Sequence, residues 1–196
     1  MTNADKRKVL VVGMGATGLS CVRYLHALGD EVTVIDSRDI PPGLQVLKNE
    51  YPDVRVVTGT LESDLYESVD LLVVSPGVST RSPALSEAID KCSEIAGDIE
   101  LFSRAVKQSG AKVIAISGSN GKSTVTSLVG EFCKAAGKET LVGGNIGKPV
   151  LELLNEPVPD IYVLELSSFQ LETTCSLASL SSVVLNISED HMDRYS

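Results

Sequence analysis

The run Gly118-Ser119-Asn120-Gly121-Lys122-Ser123-Thr124 gathers in one short stretch what is needed to hold a phosphate. Glycines let the backbone turn tightly, consecutive N–H groups converge on one anion, and a lysine adds a mobile positive charge. The hydroxyl of Ser123 is placed to take the Mg²⁺ that accompanies a nucleoside triphosphate. An apolar run, Val113-Ile114-Ala115-Ile116, precedes this turn, and residues 125–136 follow it with a helical pattern. The order is therefore strand, glycine-rich turn, helix. The spacing departs from the common nucleotide loop, because Ile116 stands where its first glycine would be. A helix start capped by Ser and Asn is the simpler alternative, and a Gly-Lys-Ser at a strand-to-helix junction argues against it. The expectation is ATP bound through Gly118, Ser119, Asn120, Gly121, Lys122, Ser123 and Thr124.

A second turn of the same kind lies near the N-terminus. Val9-Leu10-Val11-Val12 leads into Gly13-Met14-Gly15-Ala16-Thr17-Gly18, a G-x-G-x-x-G match, and Asp36 closes the next strand. That acid stands where a ribose-binding carboxylate sits in a dinucleotide fold. The glycines suit any diphosphate, however, and UDP offers both a diphosphate and a ribose. Ser37 and Arg38 follow the acid and could meet a base or a further phosphate, or Asp36 could simply cap the loop after it. Ser75-Pro76-Gly77 ends another strand at the carboxyl edge, where ligands of open α/β sheets collect, although Pro76-Gly77 also makes an ordinary turn.

Three further candidates lie in the second half. Glu165 closes an apolar strand at 161–164, the arrangement that sets a carboxylate beside nucleotide-bound Mg²⁺. Read without that context it is an exposed acid at a strand end. Gly143-Gly144-Asn145-Ile146 forms a turn in which Asn145 offers both a donor and an acceptor. His191, one of the chain's 2 histidines, follows a strand at 182–187 and is either a loop residue or a ligand. His26 reads as a helix-surface residue.

The elements that must position these residues alternate along the chain. Strands are expected at 9–12, 31–36, 54–58, 71–74 and 94–96, with helices at 17–28, 42–49, 83–91 and 98–108. A second series follows, with strands at 113–116, 140–142, 161–164 and 182–187. Continuous apolar strands separated by helices give an α/β fold with a Rossmann-like, doubly wound parallel sheet, followed by the first part of a P-loop-type ATP-binding α/β domain. Gln108-Ser109-Gly110 breaks the pattern, so domains are expected at 1–108 and 109–196.

Composition agrees with an enzyme of the cytoplasm. The chain has 196 residues, 43% of them hydrophobic, and a net charge of −9 that disfavours nucleic acid and anionic membranes as partners. No signal peptide or membrane span is legible. The 4 cysteines are scattered without a C-x-x-C pair and read as reduced. Two phosphate-binding turns in adjacent units suggest a reaction between two phosphate-bearing molecules.

Several of these motifs together resemble the Mur ligases of bacterial peptidoglycan synthesis. They are the ATP loop, Gly143-Gly144-Asn145-Ile146-Gly147, Glu165-Leu166-Ser167-Ser168-Phe169-Gln170-Leu171-Glu172, Glu189-Asp190-His191-Met192-Asp193-Arg194-Tyr195 and Gly97-Asp98-Ile99-Glu100-Leu101-Phe102. The Ser-Ser-Phe-Gln-Leu-Glu run resembles most the member that adds D-glutamate. The resemblance implies a three-domain, monomeric enzyme whose first domain binds the UDP part of UDP-N-acetylmuramoyl-L-alanine. It places Gly15, Ala16, Thr17, Asp36, Ser37, Arg38, Ser75 and Gly77 around that group, and Asn145 along the muramoyl substrate. It gives Lys122 to the β- and γ-phosphates of ATP, and Ser123, Glu165 and His191 to Mg²⁺, with Lys122, Glu165 and His191 as the catalytic set. It also implies that the chain is an N-terminal fragment, with the D-glutamate domain and a carbamylated lysine beyond Ser196, and inactive as a ligase alone. The alternatives are a non-catalytic nucleotide-sugar-binding module and an NAD-dependent oxidoreductase, the latter leaving the Lys122 loop unexplained.

Overall fold

The computed structural model describes residues 6–62, 64–92 and 94–189. The chain divides into two compact units, Met1–Asp98 and Ile99–Ser196.

The first unit is a five-stranded parallel sheet in the order β3-β2-β1-β4-β5. Its strands are β1 (Lys8–Val12), β2 (Glu31–Asp36), β3 (Arg55–Thr58), β4 (Leu71–Val74) and β5 (Ile95–Ala96). Helices α1 (Ala16–Ala27), α2 (Leu44–Glu50) and α3 (Pro83–Lys91) connect them, with a 3₁₀ turn at Asp64–Ser68. The central strands are apolar throughout because helices cover both faces: Leu10, Val11, Val12, Leu71, Leu72 and Val73 are fully buried. Strands are added to one side of β1 up to β3 and then to its other side from β4, so the turns after the parallel β1 and β4 open side by side at the carboxyl edge, which is where such sheets bind ligands.

The second unit opens inside α4 (Asp98–Val106) and holds a four-stranded parallel sheet in the order β7-β8-β6-β9. Its strands are β6 (Lys112–Ser117), β7 (Thr140–Gly144), β8 (Ile161–Glu165) and β9 (Ser181–Val184), with helices α5 (Lys122–Ala135) and α6 (Ser168–Leu171). The break at Gln108-Ser109-Gly110 ends a helix and not the first unit. Its cause is packing: Phe102 of α4 meets Tyr162 of β8 edge to face at 5.0 Å, and both rings are buried. One further expectation shifts: Gly143 and Gly144 lie within β7, and a 3₁₀ turn at Val150–Asn155 follows. Strand β9 is exposed along its whole length and forms one edge of the sheet.

Candidate functional site

Each unit carries its candidate residues at the carboxyl edge of its own sheet. In the first, Gly13 N donates to Ile35 O at 2.8 Å and α1 starts behind Gly15. A Cβ on Gly18 would lie 2.0 Å from Gly13 O, so this third glycine serves helix-to-turn packing. Gly15 and Gly77 instead face open space, with nothing within 4 Å of a Cβ built on either. That clearance is what a diphosphate needs to approach the backbone of Gly15, Ala16 and Thr17.

Asp36 is buried and fully engaged. Its Oδ2 accepts from Met14 N at 2.7 Å and from Arg38 Nη2 at 2.6 Å, and its Oδ1 accepts from Arg38 N at 3.0 Å and Arg38 Nε at 2.8 Å. Burial alone would raise its carboxyl pKa, but the guanidinium and the two backbone amides outweigh burial and hold it below the usual value. The acid thus ties the glycine turn to the end of β2 and aims a half-exposed Arg38 guanidinium at the sheet edge. Ser75 is buried as well, and its hydroxyl donates to Gly13 O at 3.2 Å, bracing the same turn. Ser37 is exposed beside them.

In the second unit the phosphate loop leaves β6 at Ser117, and α5 begins at Lys122 behind a left-handed Gly121 with φ 83°. The first-turn amides of Lys122, Ser123 and Thr124 have no partner inside the helix and carry its positive dipole end. Lys122 Nζ folds back on its own loop, donating to Gly118 O at 2.7 Å and Ser119 O at 3.0 Å. A phosphate would replace these carbonyl oxygens as its partner.

Parallel pairing sets Ile116 of β6 beside Glu165 of β8, and Glu165 beside Gly144 of β7. Glu165 is buried, not exposed as a simple strand-end acid would be. Its Oε1 accepts from Asn145 Nδ2 at 2.8 Å, and Asn145 N donates to its backbone carbonyl at 2.9 Å. Its Oε2 is buried with no hydrogen-bond partner. Gly144 makes this approach possible: it stands at φ +105°, and a Cβ there would lie 2.4 Å from Glu165 O. An orphaned buried carboxylate oxygen is costly unless something completes it, and a hard divalent cation such as Mg²⁺ fits an oxygen donor of this kind. Among the described residues no three His, Cys, Asp or Glu side chains converge. His191 lies outside the described residues.

The segment after β8 is locked by its own sequence. Ser167 Oγ accepts from Gln170 N at 3.2 Å while Gln170 Oε1 accepts from Ser167 N at 3.0 Å, a reciprocal cap around the buried Gln170. Ser117 Oγ donates to Leu166 O at 2.9 Å and joins the phosphate loop's first residue to this turn. Sequence reasoning missed one anchor, Glu100 of α4. This buried carboxylate accepts from the amides of Cys175 and Ser176, both at 2.8 Å, from Ser176 Oγ at 2.9 Å and from Arg104 Nε at 2.9 Å. A separation of 75 residues leaves no local signal for it.

Residues 7–97 match the Mur ligase MurD-like N-terminal domain, and residues 116–196 match the Mur ligase middle domain. The chain belongs to the Mur ligase family. It is 57% identical over 187 residues to the UDP-N-acetylmuramoylalanine–D-glutamate ligase of Shewanella violacea, covering 95% of this chain and 41% of that relative. It is 52% identical over 195 residues to the ligase of the same name from Methylobacillus flagellatus, covering 100% of this chain and 43% of the relative. The chain thus spans about two-fifths of the length of the curated relatives it matches. The fold recurs in the UDP-N-acetylmuramate:L-alanyl-gamma-D-glutamyl-meso-diaminopimelate ligase from Neisseria meningitides, at TM-score 0.56 and 19% identity over 97% of this chain and 64% of that one. It recurs also in the UDP-N-acetylmuramate-alanine ligase from Thermotoga maritima, at TM-score 0.54 and 20% identity over 96% of this chain and 43% of that one. The Mur ligase fold thus accounts for both glycine-rich edges in one chain.

Proposed function

We propose that this Mur ligase chain takes part in the ATP-dependent addition of D-glutamate to UDP-N-acetylmuramoyl-L-alanine, with the UDP moiety on the first unit and Mg-ATP on the second. The observation that carries this reading is the pairing of the Lys122 loop with the orphaned Glu165 Oε2 on adjacent strands. A lone anion site would not require that carboxylate. Relatives at 52–57% identity named for this reaction support the choice of substrate.

In this reading the L-alanine carboxylate oxygen attacks the γ-phosphorus of ATP, and ADP leaves. The D-glutamate amine, as its free base, then attacks the acyl carbon of the acyl-phosphate, phosphate leaves, and the amine's proton passes to a base or to water. Lys122 and the first-turn amides of α5 hold the phosphates and offset the charge of the transferring group. Glu165 and Ser123 would hold Mg²⁺, which when bound would supply positive charge to offset that of the phosphates. Asn145 orients the Glu165 carboxylate, and its place along the muramoyl substrate is part of the proposal. His191 keeps its proposed role as a further Mg²⁺ contact.

On the first unit, Arg38 and the open backbone of Gly15 to Thr17 would meet the diphosphate and uridine. Asp36 already satisfies four donors, which leaves it poorly placed to accept two ribose hydroxyls as an NAD site requires. Among the described residues no helix is long and apolar enough to cross a membrane. We place the reaction in the cytoplasm, where its nucleotide substrates are found, and read the ligase as monomeric.

The test is calorimetry of the chain with UDP-N-acetylmuramoyl-L-alanine, Mg-ATP and NAD, followed by an ADP-release assay with D-glutamate. Binding of the first two and not NAD is expected, and binding without turnover supports a nucleotide-sugar-binding fragment. NAD binding in place of the muramoyl nucleotide would overturn the reading.

A further inference from the structure

The loop that faces the phosphates is itself clamped from behind. Past β9, residues 185–188 run alongside residues 117–120. Leu185 N donates to Ser117 O at 2.9 Å, and Ser119 N donates to Asn186 O at 3.0 Å. The Asn186 carboxamide then grips the backbone of Asn120 at both its polar groups. Asn120 N donates to Asn186 Oδ1 at 2.8 Å, and Asn186 Nδ2 donates to Asn120 O at 2.9 Å. Ser188 N adds a bond to Ser119 Oγ at 3.0 Å. Gly118 admits this neighbour: at φ +139°, a Cβ on it would lie 3.1 Å from the amide nitrogens of Leu185 and Asn186.

This clamp changes which groups are left for the anion. The amides of Ser119 and Asn120 are spent on Asn186. The first-turn amides of α5 and the Lys122 ammonium are not committed to Asn186, and their convergence depends on the direction in which residues 119–121 enter the helix. Of the short side chains, only a carboxamide offers a donor and an acceptor side by side, as a backbone pair does. Aspartate keeps only the acceptor, and alanine keeps neither. Asn186 is exposed, so its bonds compete with water and add little to global stability.

We propose that Asn186 is a positioning residue for nucleotide binding: its carboxamide fixes the Ser119-Asn120 turn so that the first turn of α5 is aimed at the phosphates. The proposal rests on the nucleotide reading above and extends it, since neither the loop's own sequence nor Glu165 calls for residue 186.

The experiment titrates the fluorescent analogue mant-ATP, with Mg²⁺, into the chain and into Asn186→Ala and Asn186→Ser. Melting temperatures and amide hydrogen exchange are measured on the same samples. The parent chain is expected to bind, and both variants to bind about tenfold more weakly, the loss of one to two oriented hydrogen bonds. Exchange should accelerate at the Asn120 amide while the amides of β6 and β8 and the melting temperature stay near those of the parent. Undiminished affinity in either folded variant overturns the proposal. So does weakening that comes with accelerated exchange throughout β6 and β8, which would mean a merely structural role. If Asn186→Ala does not fold, Asn186→Ser decides on the same criteria. A parent chain that fails to bind mant-ATP sinks the nucleotide reading and this proposal together, whereas a binding parent with unaffected variants sinks the proposal alone.

Discussion

Asn145 holds Glu165 at two points, through its backbone N–H on the Glu165 carbonyl at 2.9 Å and through Nδ2 on Oε1 at 2.8 Å. The double attachment fixes both the position of the strand end and the plane of the carboxylate. One carboxylate oxygen is satisfied from the protein, and the other, Oε2, is buried without a partner. An arrangement that half-satisfies a buried acid is destabilising until a cation or donor completes it.

The two residues should therefore respond in opposite ways to substitution. Glu165→Gln removes the buried charge and is expected to leave the melting temperature equal or higher, while the Mg²⁺ dependence of ATP binding is largely lost. Asn145→Ala leaves both carboxylate oxygens unpaired and should cost about 1–3 kcal/mol in urea unfolding. Glu165→Gln proving the more destabilising of the pair would contradict the assignment of Oε2 to a cation.

The glycines of the first turn divide in the same spirit. Gly18→Ala drives a methyl to 2.0 Å from Gly13 O, so α1 must move, and a loss of about 1–3 kcal/mol is expected from overpacking. Gly15→Ala meets nothing within 4 Å, and stability should fall by no more than about 1 kcal/mol, the preference for glycine over alanine at the start of α1. Its effect should fall on UDP affinity, which isothermal titration would read. Equal losses of stability in the two variants would mean that the space above Gly15 is not a ligand site.

The alternation of apolar strands and helices was legible because each strand is a short buried run closed by a turn residue. Residues 31–36, 71–74 and 83–91 are elements with the bounds that pattern predicts. The phosphate loop was legible because its chemistry is local. What the pattern could not show were contacts made across the fold. Asn186 reaches Asn120 over 66 residues, and Glu100 reaches Ser176 over 76. Asp36 carries a dinucleotide signature in sequence, yet the structure spends its oxygens on Met14 and Arg38, a use that depends on where the Arg38 side chain lies. Gly143 and Gly144 look like a turn, but pairing with β8 extends β7 through them.

Glu100 ties stability to acid pH. Burial alone would raise its pKa, but the Cys175 and Ser176 amides, the Arg104 guanidinium and the Ser176 hydroxyl outweigh burial and lower it to about 2. A folded-state pKa below the unfolded value of about 4.3 means stability that is fully present above that value and is lost as pH falls toward 2. The contribution is on the order of 3 kcal/mol at neutral pH. Glu100→Gln should flatten the acid limb of the urea midpoint plotted from pH 5 to pH 2. An unchanged slope would show that other carboxylates dominate acid unfolding.

Arg38 decides the state of Asp36. Its guanidinium supplies two of the donors that outweigh burial, leaving the backbone amides of Arg38 and Met14 as the others. Arg38→Ala should raise the Asp36 pKa, read by a carboxyl NMR titration, and cost roughly 1–3 kcal/mol at neutral pH because a buried charge loses its partner. The sign follows from linkage: with the folded-state pKa raised, the stability that Asp36 contributes above its unfolded pKa shrinks, so the variant and the parent converge in acid. Arg38→Lys restores the charge but not the two-point geometry, and should fall between them. Loss of UDP affinity in both variants, with NAD still unbound, would show that the guanidinium meets the ligand while Asp36 serves only to aim it. If Arg38→Ala instead gained NAD binding through the freed carboxylate, the engagement of Asp36 by Arg38 would be what excludes the dinucleotide.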